Sequence, residues 1–75
     1  MNYDAIIEEV KAEIARATKT FGKFNSMHEG YAVILEELDE LWDAIKSNQD
    51  HSRIRQEAIQ VAAMTFRFLH DLLEE

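Results

Sequence analysis

The sequence predicts an all-α protein in which short connections join three helices. It contains no proline and only two glycines, so few residues can interrupt a helix. Apolar residues recur at three- and four-residue steps along three separate segments, the spacing of amphipathic helices. We predict helices over roughly residues 3–20, 27–46 and 52–73, and interpret the 75-residue chain as one helical domain.

The first helix is predicted from one apolar stripe and from signals at both of its ends. Asn2 stands where a side chain caps the start of a helix. Gly22 follows the last periodic residue, with Lys19 in the final turn, which is the usual signal for a helix end. The stripe between these signals consists of Tyr3, Ile6, Ile7, Val10, Ile14 and Ala17.

The second helix begins at a capping box, the Ser-x-x-Glu pattern of residues 26–29. Its apolar arc covers about 120° and predicts core positions for Tyr31 and Trp42. If Leu38 is the centre of that arc, Glu37 lies about 100° away, at the edge of the core. The whole arc is Tyr31, Ile34, Leu35, Leu38, Leu41, Trp42 and Ile45.

The third helix is apolar around most of its circumference, and such a helix needs neighbours on nearly all sides. Two short helices cannot surround it, so we predict that a second copy packs against it in a homodimer or homotetramer. One stripe comprises Ile54, Ala58, Val61, Ala62, Leu69 and Leu72, and further apolar residues are Ile59, Ala63, Met64, Phe66 and Phe68.

The net charge and the composition exclude several classes of binding partner and of metal site. Fifteen acidic and eight basic residues give a net charge of -7, which disfavours binding to nucleic acids and to anionic membranes. The absence of cysteine excludes disulfides and thiolate metal sites. No apolar run approaches the roughly 20 residues that span a bilayer, and we expect a cytoplasmic protein.

Carboxylates spaced three residues apart are the strongest chemical signal in the sequence. Glu37 and Glu40 are neighbours on one helix, and Glu57 and Gln60 repeat their spacing on the next. Antiparallel packing of these helices would bring the two pairs together and supply the oxygen ligands that suit Mg²⁺ or Mn²⁺. A solvated acidic surface would give the same pattern, so this alternative remains open.

These residues resemble the metal-binding motif of MazG-like all-α nucleotide pyrophosphohydrolases. The segment EELDE at residues 36–40 matches the EExxE half of that motif, and EAIQ at residues 57–60 matches the ExxD half except at its last position. Sixteen residues separate the two halves, and the resemblance extends from about Phe21 to Leu73.

The resemblance implies Mg²⁺-dependent hydrolysis of a nucleoside triphosphate to the monophosphate and pyrophosphate. Glu37, Glu40, Glu57 and Gln60 would hold the metal, with Glu36 as a spare ligand and Glu37 or Glu40 as the base. Gln60 replaces an aspartate and removes one negative charge from the site. The alternative is a helical interaction module of the same family that has lost catalysis.

Other side chains are candidates for contacts with the substrate. Lys46, Arg53 and Arg55 surround the second connection, where their charges can offset that of a leaving pyrophosphate. Cations near helix ends are also commonly no more than solubilising. Phe24 and Asn25, in the first connection, are candidates for stacking on a base and reading its edge.

Overall fold

The computed structural model describes residues 2–74 and confirms the all-α class. Helix α1 spans Asp4–Phe21, α2 spans Met27–Lys46 and α3 spans His51–Phe68. A π-helical turn, Leu69–Leu73, continues directly from α3 and completes the segment predicted as residues 52–73. The residues described contain no β-strand.

Local hydrogen bonds fix both ends of α1. The Asn2 side chain accepts a hydrogen bond from the Asp4 N–H at 3.0 Å, which satisfies a donor that the first turn leaves free. Gly22 ends the helix with a φ of 75°, and its N–H donates to the Thr18 carbonyl at 2.9 Å. A side chain at this φ would be strained, which accounts for glycine at the connection.

Side chains also cap the starts of α2 and α3. The Ser26 hydroxyl accepts from the Glu29 N–H at 3.0 Å. The Glu29 carboxylate accepts from the Asn25 N–H at 2.6 Å, so the box closes one residue earlier than its usual form. At α3, the Asp50 carboxylate accepts from the Arg53 N–H at 2.9 Å. These caps fix the starts of the two helices that carry Glu37, Glu40 and Glu57, and packing positions the rest of each helix.

Helix α3 lies against both other helices, and much of the core is built from small residues. Ala17 and Ala63 are almost completely buried, which allows the helix backbones to approach closely. At Gly30 a Cβ atom would lie only 2.6 Å from Cδ2 of Phe68, so α2 meets the end of α3 at a similarly close contact. The buried apolar side chains are Val10, Ala17, Phe24, Ala44, Ala63 and Met64.

Helix α2 has two apolar faces with different surroundings. The inner face lies against the rest of the chain and is formed by Gly30, Val33, Ile34, Glu37, Leu41 and Ala44, all buried or half-buried. The outer face is formed by Tyr31, Leu35, Leu38, Trp42 and Ile45, all exposed. The expectation that Tyr31 and Trp42 pack in the chain's own core is therefore wrong, since they are 64% and 56% exposed.

The last part of α3 and its π-helical turn also leave apolar side chains uncovered. Phe66, Leu69 and Leu73 are all about half exposed, although α3 is the central helix of the chain. Within residues 2–74, no helix has both the length and the apolar character needed to cross a membrane.

Candidate metal centre

Three glutamates from α2 and α3 converge at the inner face of α2. Glu37, Glu40 and Glu57 each offer one carboxylate oxygen, and these three oxygens all lie within 4.8 Å of one another. Glu37 and Glu40 are adjacent on α2 because they are one turn apart, and Glu57 reaches them because α3 packs against that side of α2. The structure therefore brings together the carboxylates that the sequence spacing had paired.

Glu37 is strained electrostatically in this position. Burial, followed by the charge and hydrogen bond of Glu40, raises the pKa of Glu37 to about 7, and the charges of Glu57 and Glu36 act in the same direction. Its Oε2 atom is buried and has no hydrogen-bond partner among the described residues. A divalent cation would supply the missing partner and offset the repulsion.

Glu57 is more deeply buried than the sequence pattern predicts. It is only 3% exposed, whereas a position about 100° from the centre of the apolar stripe of its helix predicts the edge of the core. Arg53, one turn earlier on α3, places Nη2 2.9 Å from Oε1 of Glu57. The second oxygen, Oε2, is buried without a hydrogen-bond partner among the described residues. A buried carboxylate oxygen normally has a partner, so this atom marks a position for a ligand.

The remaining members of the predicted site flank this cluster of Glu37, Glu40 and Glu57, which we call the carboxylate cluster. Gln60 is half-buried one turn after Glu57 on α3. Glu36 is exposed and lines a cavity next to Glu37. Its charge acts on Glu37, which fits a supporting group better than a group held in the cluster itself.

The three cations predicted to contact pyrophosphate have separate surroundings. Arg53 contacts the carboxylate cluster through Glu57. Lys46 lies 3.4 Å from Asp43 and 5.6 Å from the centre of the Trp42 ring. Arg55 instead pairs with Glu9 and connects α3 to α1. The structure thus brings Arg53 to the cluster, while Lys46 and Arg55 form ion pairs elsewhere.

A cavity of about 330 Å³ adjoins the carboxylate cluster at Glu37. The two residues predicted to contact a base, Phe24 and Asn25, both line it. Phe24 is 8% exposed and belongs to the core, whereas Phe21 stands at the same cavity with 72% of its surface exposed. Phe21 is therefore the aromatic side chain available for stacking.

The sequence predictions missed the cations that line this cavity, which are Arg16, Lys23 and Arg67. Arg67 is only 3% exposed, and a charged residue between Phe66 and Phe68 in an apolar helix was the signal that could have identified it. Arg16 and Lys23 carry no such signal, because cations near a helix end are common on surfaces.

Comparison with known proteins gave no match to a family model, to a curated protein or to a solved structure.

Proposed function

We propose that this protein is a Mg²⁺-dependent nucleoside triphosphate pyrophosphohydrolase, whose products are a nucleoside monophosphate and pyrophosphate. The observation that carries the proposal is the convergence of Glu37, Glu40 and Glu57, two of whose carboxylate oxygens are buried without a hydrogen-bond partner within residues 2–74. A merely solvated acidic face would leave all its carboxylates in water, whereas Glu57 is almost completely buried.

The carboxylate cluster fits a hard divalent cation. Three carboxylates supply oxygen ligands, and Gln60 lies one turn from Glu57 with a neutral carbonyl oxygen. Mg²⁺, with Mn²⁺ as a substitute, would neutralise phosphate charge and acidify a bound water. A free carboxylate oxygen of Glu37 or Glu40 would act as the base, accepting a hydrogen bond from the attacking water and orienting it towards phosphorus. The adjoining cavity provides room for a nucleotide beside these groups.

Activity against a panel of ribo- and deoxynucleoside triphosphates, canonical and modified, tests the proposal. We expect pyrophosphate release that requires Mg²⁺ and falls at least about a hundredfold in Glu37→Gln. Asp39→Asn is the matched control, because Asp39 is exposed on the same helix and lies outside the carboxylate cluster. No turnover of any nucleotide, or equal activity of Glu37→Gln and the wild type, would contradict the proposal.

The alternative is an interaction module that has lost catalysis through the replacement at Gln60. Calorimetry with Mg²⁺ and Mn²⁺ separates the two functions. The enzyme binds metal, and Gln60→Asp strengthens that binding because it restores a charged ligand. The module binds neither ion at millimolar concentration, and Gln60→Asp only lowers its stability by adding a poorly solvated charge.

The outer face of α2 supports an assembly of identical chains. Its five apolar side chains follow one another at steps of four, three, four and three residues, the 3.5-residue repeat of helices that pack side by side. We infer that the outer face of a second copy covers it, because one patch repeated about a two-fold axis complements itself. This extends the sequence prediction, which relied on α3 alone. Sedimentation tests it, and a stable monomer at micromolar concentration would contradict it.

A further inference from the structure

Arg67 is a buried cation, and one of its hydrogen-bond donors has no acceptor among the described residues. Its Nη2 donates to the Gly22 carbonyl, its Nη1 lies 3.4 Å from Sδ of Met64, and its guanidinium lies 4.5 Å from the centre of the Phe24 ring. The third kind of donor, Nε, is buried and has no partner among the described residues. A buried donor without a partner loses its hydrogen bond to water and gains none in return, so an acceptor is expected there.

Arg67 is placed to meet a ligand of the carboxylate cluster. It lines the same cavity as Glu36 and Glu37, and the exposed side chain of Lys23 lines it as well. Arg67 is thus a cation on the wall of a cavity that also opens on the proposed metal site. A guanidinium presents its N–H groups in a planar fork that matches phosphate oxygens.

A purely structural role explains only part of this arrangement. Nη2 ties α3 to the connection after α1, while Nη1 contacts Met64 one turn earlier on α3, and neither contact needs Nε or a cavity. Asp71 is close enough for its charge to interact with that of Arg67, but its carboxylate accepts hydrogen bonds from the Phe24 N–H and pairs with His70. Nε therefore has no acceptor among residues 2–74, and because almost none of its surface is accessible, an oxygen from outside the chain reaches it only when the side chains around it shift.

We propose that Nε of Arg67 binds a phosphate oxygen of the nucleotide held at the carboxylate cluster. The inference rests on the proposed function, and it assigns the phosphate contact to a residue in the middle of α3 and not to the cations around the second connection. Because Glu36 and Glu37 line the same cavity, a phosphate anion binds there together with the divalent cation that offsets their charge.

The Nε–Hε resonance of Arg67 in NMR spectra reports this contact directly. Inorganic pyrophosphate serves as the probe in three titrations of the full chain, namely Mg²⁺ alone, pyrophosphate alone, and pyrophosphate after Mg²⁺. We expect saturable binding of pyrophosphate in the presence of Mg²⁺, with a large shift of the Arg67 Hε signal. Mg²⁺ alone is expected to perturb the carboxylates and to leave this signal nearly unchanged.

A conservative variant separates the contact from the charge. Arg67→Lys keeps the positive charge but has no Nε, and we expect it to weaken pyrophosphate binding by roughly tenfold or more, the loss of one charge-assisted hydrogen bond. Its Mg²⁺ affinity should change by less than about twofold. Arg55→Lys is the matched control, because Arg55 is an exposed arginine on the same helix that pairs with Glu9 and does not line the cavity. We expect it to bind pyrophosphate as the wild type does.

Each outcome bears on one proposal. If Mg²⁺ and pyrophosphate bind while the Arg67 Hε signal stays fixed, the phosphate contact is refuted and the proposed function survives. If Mg²⁺ does not bind, the proposed function fails. A shift of the Arg67 Hε signal with pyrophosphate alone would then support the phosphate contact, and an unchanged signal would refute it. If Arg67→Lys does not fold, the shift measured on the wild type is decisive by itself.

Discussion

The two apolar faces of α2 differ in composition and surroundings: the inner face contains the carboxylate of Glu37, and the outer face exposes large apolar side chains. The inner face holds Glu37 half-buried among residues that pack within the chain, and this burial raises the pKa of its carboxyl group. An apolar side chain at this position would make the folded chain more stable. The outer face exposes Leu38 and Trp42, which a self-contained protein would bury. Both features lower the stability of a single chain, and the proposed metal site and the proposed assembly would account for them.

The largest effect is expected when the half-buried carboxylate of Glu37 is removed. Glu37→Leu completes the apolar inner face, so the free energy of unfolding of the metal-free protein rises by about 1–3 kcal/mol while Mg²⁺ binding is lost. Chemical denaturation and calorimetry measure the two effects. Glu36→Leu, at an exposed neighbour, should change the stability by less than about 0.5 kcal/mol. A less stable Glu37→Leu protein would mean that this carboxylate holds the fold together.

A charge introduced on the outer face of α2 tests whether this face holds the assembly together. Leu38→Glu puts a carboxylate in the middle of the exposed apolar repeat, and we expect the dissociation constant of the assembly to rise at least roughly a hundredfold. Sedimentation measures it, with helicity checked by circular dichroism. Ala32→Glu adds the same charge at another exposed position of α2, about 100° from the outer face, and should leave the assembly intact.

The difference between the faces also explains what the sequence could and could not predict. Ser26 and Glu29 predict the start of α2 because a capping box is local, and the spacing of Glu37, Glu40 and Glu57 predicts their convergence because helix geometry is regular. The side of α2 that faces α3 was not predictable from the apolar arc. The arc is wide enough to include residues of both the inner and the outer face. Glu37 stands at the centre of the inner face, and because it is charged, the apolar pattern does not mark that centre.

Arg67 was missed for a different physical reason. Its partner is the carbonyl of Gly22, 45 residues earlier in the chain, and no local pattern encodes a contact between a side chain and a distant backbone group. Its cation–π contact with Phe24 is equally remote in sequence. Such contacts depend on how α3 packs against the connection after α1, which is a property of the whole fold.

The dependence of stability on pH tests the raised pKa of Glu37 on the inner face. The pKa of Glu37 is about 7 in the folded chain and 4.5 as its ordinary value, so the folded state binds more protons between these two pH values. The stability of the metal-free protein should therefore fall as the pH rises through this window, lowering Tm by on the order of 5 °C. Mg²⁺ affinity changes in the opposite direction, because the metal competes with the proton on Glu37.

Glu37→Gln is the control for this titration, since it cannot ionise and should flatten the dependence of Tm on pH between about 4.5 and 7. Thermal melts in the presence of a chelator measure both proteins. An equal slope for Glu37→Gln and the wild type would assign the dependence to another group and contradict the raised pKa of Glu37.

The smallest effect concerns the space available on the inner face at Gly30. In Gly30→Ala the new Cβ lies 2.6 Å from Cδ2 and 3.0 Å from Cε2 of Phe68, so the ring must move. Alanine gains about 1 kcal/mol in helix propensity, but overpacking costs about 1–3 kcal/mol, and we expect a net loss of stability near 1 kcal/mol. Ala32→Gly, at an exposed position of the same helix, measures the propensity term alone. If Gly30→Ala instead gained the full propensity term, Phe68 would be free to move, and the close contact between α2 and the end of α3 would not hold the inner face in place.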